Sequence, residues 1–202
     1  MRPHDTDRHD SHRASDLQAR TQHGHDRGLG RREFLLAGCS GDGATDAAPP
    51  DPVSVGAGQV CDSCGMVISE HPGPNGQIFY REGPSSGSEP ARFDSPKACL
   101  FPYYFEHERR GWSAEVVYVT DYSRVDYEIT TVEGQRYIQT ATAPESFSNA
   151  RDTVFVVGSE VHGAMGADFV PFSERADAES LAEEHGGEVV EYDSIDEGLI
   201  GQ

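Results

Sequence analysis

Cys61-Asp62-Ser63-Cys64-Gly65-Met66 places two thiols and a thioether within six residues of backbone. The whole chain holds four cysteines and three methionines, one of them the initiator. Sulfur this scarce and this clustered points to a soft ligand: copper(I), zinc, an iron–sulfur cluster or another thiol. Cys64 and Met66 stand two apart, so an extended backbone would turn both side chains to one face. Gly65 between them would leave the other face empty. A second thioether, Met165, lies three residues after His162. A thiolate with two thioethers makes a low-coordinate soft site, and copper(I) is the ion that selects both kinds of sulfur. Zinc prefers thiolate, imidazole and carboxylate in a closed tetrahedron.

Other chemistries fit parts of this pattern. Cys-x-x-Cys is half of a zinc site, but a second pair is missing; Cys99 stands alone on a predicted helix and reads as a small buried hydrophobe. The same spacing serves thiol–disulfide exchange, where it usually opens a helix. Here Met66-Val67-Ile68 is expected to be a strand. Iron–sulfur clusters need more cysteines than the chain supplies. Met66 and Met165 could equally fill gaps in a core. His162 and, less so, His71 are additional ligand candidates set against ordinary surface histidines. The residues alone therefore leave copper(I), a redox dithiol using Cys61 and Cys64, and a zinc or structural role open. No nucleophile–base–orienter set is visible, so the chain reads as a non-enzyme.

The elements that must position these residues follow from local pattern. Strands are expected at Gln77–Tyr80, Ala91–Phe93, Glu115–Thr120, Asp126–Val132, Gln135–Thr140, Thr153–Gly158, Asp168–Phe172 and Glu188–Tyr192. Asp94-Ser95-Pro96 should start a helix running towards Arg110 and stopping at Gly111, with a kink or late start at Pro102. Phe101, Tyr103, Tyr104 and Phe105 supply its buried face. Residues 141–150 read as a loop. A second helix is expected from a Ser173 cap to Gly186-Gly187. The order strand, strand, helix, strand occurs twice, with Gly65-Met66 ahead of one set and Met165-Gly166 ahead of the other. The fold class is thus α+β, two pseudo-repeated halves packed together.

The ends of the chain differ in character. A net charge of -19 excludes a phosphate-binding face and opposes an anionic membrane surface. Lys97 is the sole lysine, and the acidic, lysine-poor composition resembles that of proteins working in high salt. Residues 1–30 read as a disordered tail rich in histidine. Residues 31–39 combine Arg31-Arg32-Glu33-Phe34-Leu35, similar to a twin-arginine export motif, with Leu36-Ala37-Gly38-Cys39, similar to a lipobox whose Cys39 is lipidated. Only Phe34 to Gly38 separate Arg32 from Cys39, fewer than the roughly 7–15 apolar residues of a working signal. Residues 40–58 form a flexible linker by composition, 59–193 the folded domain, and 194–202 a polar tail.

Cys61-Asp62-Ser63-Cys64-Gly65-Met66 resembles the Cys-x-x-Cys-Gly-Met motif of the nitrous oxide reductase accessory lipoproteins, the NosL family. Phe155-Val156-Val157-Gly158-Ser159, Ala164-Met165-Gly166, Phe172 and Glu184-His185-Gly186-Gly187-Glu188-Val189-Val190 stand in that family's order. The similarity runs from about Gln59 to Asp193 and includes the lipobox. It implies a copper(I)-binding metallochaperone held by a lipid anchor on the extracytoplasmic face of the cell membrane. Its partner would be nitrous oxide reductase or the machinery that delivers copper to it during denitrification, with no nucleic acid involved. By position, Cys64, Met66 and Met165 are the implied ligands, with Cys61 after them.

Overall fold

The computed structural model describes residues 48–83 and 89–202. The histidine-rich tail, the signal-like segment with Cys39 and residues 40–47 of the expected linker lie outside the described residues.

Eleven short strands form three sheets among the described residues. In the first sheet, β1 (Gly76–Tyr80) pairs antiparallel with both β2 (Ala91–Phe93) and β3 (Ala114–Thr120). Between β2 and β3 the chain makes a π-type turn at Pro96–Leu100 and then α1 (Phe101–Arg109). Ser95 starts this turn as expected, its hydroxyl accepting from Ala98 N–H at 2.9 Å. Regular α-helix begins only at Phe101, the late start that Pro102 favours in the first turn. Phe101 and Tyr104 are buried, while Tyr103 and Phe105 pack at the core margin.

The second sheet of three strands is hung on β7 (Val154–Val157), which pairs antiparallel with β10 (Val170–Phe172) and β11 (Glu188–Glu191). Between β10 and β11 runs α2 (Arg175–His185), ended by Gly186 at φ 76°. The third sheet joins β4 (Ile129–Val132), β5 (Gln135–Ile138), β8 (Val161–Gly163) and β9 (Gly166–Ala167). β7 is the spine. Phe155 and Val157 point into the larger core with Ile78, Phe93, Phe101 and Val119. Val154 and Val156 point the other way, into a smaller core with Ile138, Phe172 and Leu181. This is the two-residue alternation of a strand buried on both sides.

Several local expectations change. Met66-Val67-Ile68 is not a strand: Val67 makes one isolated bridge to Val60, and Ile68–Glu70 is a 3-10 turn. Residues 141–150 are not all loop, since Phe147–Asn149 is β6, added to the edge of β3. Asp121 organises that edge, accepting from Ser148 Oγ–H at 2.6 Å and Ser173 N–H at 2.9 Å. The N-cap of α2 is Glu174 and not Ser173, with no side-chain cap bond. The linker's last residues belong to the fold. Val55 is buried and donates its N–H to Thr142, and Val53 pairs with the Gln77 amide. At the far end Ile195 is buried, and α3 (Glu197–Ile200) follows it, capped by Asp196. Isolated apolar residues in polar stretches found core sites that average composition concealed.

Candidate metal centre

The sulfur motif is a closed loop. Cys61 N–H donates to Met66 O at 2.8 Å and Gly65 N–H to Cys61 O at 2.8 Å, while the Val60–Val67 bridge closes the base. Gly65 carries φ 77°, the left-handed region that glycine tolerates without steric cost. The backbone from Cys64 to Met66 is therefore a turn and not an extended strand. The argument that alternation puts those two side chains on one face does not hold; the turn places them.

The loop is held against β2 at both of its polar edges. Asp62 N–H donates to Arg92 O at 2.8 Å, and Arg92 N–H returns a bond to the Asp62 carboxylate at 2.7 Å. Asp94 follows directly after β2, and the π-type turn then delivers Cys99. Each is 2% exposed, as is Cys61. The ligand atoms of Cys61, Cys64, Asp94 and Cys99 all lie within 4.8 Å of one another. Sulfurs bound at about 2.3 Å from one ion are separated by at most roughly twice that distance, so the set is nearly at ligating spacing.

The four groups are electrostatically linked. Cys64 Sγ–H points to the Asp94 carboxylate at 3.3 and 3.5 Å. Cys61 is brought down to about 6, chiefly because Cys99 donates a hydrogen bond to its sulfur and outweighs the cost of burial. Cys99 moves in the opposite direction for the same reason, holding the proton it shares. Cys64 is pushed up to about 11 by desolvation, helped by hydrogen bonding to Cys61 and Asp94 and by the Cys61 charge. Hydrogen bonding and burial thus favour the thiolate at Cys61 and the protonated thiols at Cys64 and Cys99. Thiolate is the form that binds soft metal ions.

Of the residues singled out from sequence, Cys61 and Cys64 come together here, with Met66 partly buried at the end of the same loop. Met165 is 48% exposed and sits in the tight connection between β8 and β9. His162 is on β8, its ring edge-on to Tyr137 at 5.8 Å, outside the four-residue group. His71 bonds Val67 O through Nδ1 at 2.8 Å. The β8–β9 hairpin is nonetheless close to the motif's surroundings. A Cβ on Gly73 would come within 2.4 Å of Gly163 Cα, and Asp168, just after β9, accepts from Lys97 N–H at 2.9 Å.

Sequence reasoning missed Asp94 and Cys99. Their signal was present: a carboxylate and one of few thiols, five residues apart around a helix start. Their distance along the chain from Cys61 and Cys64 hid the meeting.

Comparison with known proteins agrees with this architecture. A family model described as NosL matches residues 52–200. The chain is 30% identical over 169 residues to the copper-binding lipoprotein NosL of Stutzerimonas stutzeri, spanning 83% of this chain and 77% of that protein. It is 28% identical over 167 residues to the copper-binding lipoprotein NosL of Achromobacter cycloclastes, spanning 82% and 77%. The crystal structure of the copper chaperone NosL from Shewanella denitrificans matches with TM-score 0.61 at 29% identity, covering 74% of this chain and 98% of that one. Motif, α+β fold and a match over most of the length concur: the chain belongs to the NosL family.

Proposed function

We propose that this protein is a copper(I)-binding metallochaperone that serves the copper sites of nitrous oxide reductase, directly or through that enzyme's copper-delivery machinery. The observation that carries the reading is the convergence of three thiols at the Cys61–Met66 loop, one of them exposed. Soft, low-coordinate sulfur suits copper(I). The names of the relatives, copper-binding lipoprotein and copper chaperone, support it. Ligands come from Cys61, Cys64 and Met66, with Cys99 beside them as the third thiol and Met165 and His162 on the neighbouring hairpin as further donors. Copper is cargo, transferred by exchange of ligands, and no catalytic step is needed. Cys39, lipidated after export, would hold the domain at the extracytoplasmic face of the membrane.

The rival reading, a thiol–disulfide oxidoreductase using Cys61 and Cys64, fits the thiols poorly. Attacking thiols are partly exposed and easily ionised. Here exposed Cys64 is pushed up to about 11, and Cys61, brought down to about 6, is buried. Nor does a helix open at the motif.

A competition titration of the reduced protein against a copper(I) chelator of moderate affinity tests the proposal. Retention of one copper(I) per chain is expected, and failure to retain it ends the chaperone reading. Mass spectrometry of membrane fractions should find Cys39 lipidated; an intact, unmodified Met1 to Cys39 segment there removes the anchor.

A further inference from the structure

One side of α1 carries a chemistry the metal centre does not use. Phe101, Tyr104, Phe105 and Glu108 stand at i, i+3, i+4 and i+7, so they share that side of the helix. The 3-10 turn Tyr192–Ser194 lies against it, and the 3-10 turn Ala150–Asp152 brings Arg151 alongside. Between them is a pocket of about 190 Å³ walled by four aromatic rings, those of Phe101, Tyr104, Phe105 and Tyr192. None of Cys61, Cys64, Asp94 or Cys99 lines it. Phe101 is the shared member, its ring centroid 6.3 Å from Phe105 and 6.1 Å from Tyr192, while Tyr104 stands edge-on to Phe105 at 5.4 Å. Aromatic faces carry negative potential and attract cations. The molecule already uses this attraction once: the Arg151 guanidinium lies over the Tyr192 ring at 5.1 Å.

The charge around the pocket has the same sense. Tyr104 O–H donates to the Glu108 carboxylate at 2.6 Å and fixes it at the wall. The neighbouring cations are committed elsewhere: Arg109 pairs with Glu197, Arg110 with Glu106, and Arg151 with Asp193 at 3.6 Å. Glu108 is therefore surplus negative charge, and the adjoining groove adds Asp196. Volume limits the occupant to a head group, because whole drug-sized ligands take about 300 Å³ or more. Hydrogen bonding limits it further. The rings offer no strong acceptor and Glu108 is engaged by Tyr104, so a primary ammonium would enter with N–H groups short of partners. A quaternary ammonium has no N–H to satisfy. A phosphate or carboxylate on the same molecule would meet Glu108, Asp193 and Asp196.

We propose that this pocket binds a small quaternary ammonium cation of the choline class, its trimethylammonium group seated among the Phe101, Tyr104, Phe105 and Tyr192 rings and its charge answered by Glu108. Recognition is cation–π attraction plus one oriented carboxylate, with no covalent step. Tyr104 is a positioning residue, since its hydroxyl holds Glu108 in place. The occupant is a free solute and not a phosphocholine head group of a lipid, because the acidic surroundings repel the phosphate. Binding here is independent of the copper(I) reading.

Proton NMR of choline titrated with the full reduced chain tests the proposal. Ring currents should move the N-methyl resonance upfield, and the shift should saturate. Dimethylbutanol, the neutral carbon isostere of choline, should bind at least about fivefold more weakly. Ethanolamine and phosphocholine should each bind more weakly than choline. Glu108→Gln keeps an acceptor for Tyr104 and should weaken choline binding by about fivefold. Tyr192→Leu removes one wall and should weaken it by about tenfold. Circular dichroism checks that both variants fold. If Tyr192→Leu does not, Glu108→Gln and the comparison of choline with its neutral isostere on the parent chain decide. The absence of a saturable shift overturns the proposal, as does an isostere or ethanolamine that binds as well as choline. Tighter binding of phosphocholine overturns the choice of a free solute. Folded variants that bind choline like the parent show that the pocket is not the site.

Discussion

Two tight loops carry the sulfur of interest, and they treat it in opposite ways. The Cys61–Met66 loop and the Val161–Ala167 hairpin each turn at a glycine with positive φ, Gly65 at 77° and Gly166 at 101°. In the first, two β2 backbone contacts and the Val60–Val67 bridge hold the loop down, and Cys61 is buried. In the second, Met165 stands out at 48% exposure. The thiol loop has the rigidity of a holding site, while the thioether hairpin has the exposure of a contact surface.

The largest test asks whether the two regions are parts of one cooperative unit. Phe101 on α1 packs its ring against Phe155 on β7, Phe169 and Tyr192, joining the sulfur side to the second sheet. Phe101→Ala should cost about 3–5 kcal/mol in denaturant unfolding, with a single transition. Two separate transitions would show that the regions unfold independently.

A next test separates them by pH. Asp168 is buried, and desolvation raises it from 3.8 to about 7. The folded state therefore holds a proton that the unfolded chain releases near 3.8, so stability falls as pH rises from about 4 to about 7 and is level beyond. The displacement corresponds to roughly 4 kcal/mol at most. Asp168→Asn keeps an acceptor for the Lys97 and Phe169 N–H groups. Unfolding midpoints across this range should decline in the parent relative to the variant; parallel profiles would remove Asp168 as the cause.

The smallest effects compare the sulfurs themselves. Cys61→Ser should reduce copper retention by about a hundredfold, at the upper end of what even outer partners of a metal contribute. Met165→Leu should reduce it by less than about tenfold. Equal losses would put Met165 on a par with Cys61 in holding copper.

Much of the fold was legible before any coordinates. β1, β2, β3, β7 and β11 fall where alternation or apolar runs place them, and α1 starts late as Pro102 requires. What escaped depended on long-range partners. β6 exists because β3 offers it an edge, and Asp121 reaches across the sequence to hold Ser173 N–H while Glu174 stands as the cap. At the site, Cys61 and Cys64 were legible from spacing. Asp94 and Cys99 were not, because only the β2-to-α1 crossover carries them back over the loop.

One small device has a mechanical consequence. The Gln77 side-chain amide imitates a backbone peptide, accepting from Val53 N–H and donating to Val53 O. Nearby, Tyr118 O–H holds Pro50 O, and Val55 N–H holds Thr142 O. Tension transmitted along the chain from its N-terminal side reaches these three fastenings before it reaches Cys61. They act as strain relief on a cable: a pull from that side loads these bonds first, and the sulfur loop keeps its shape.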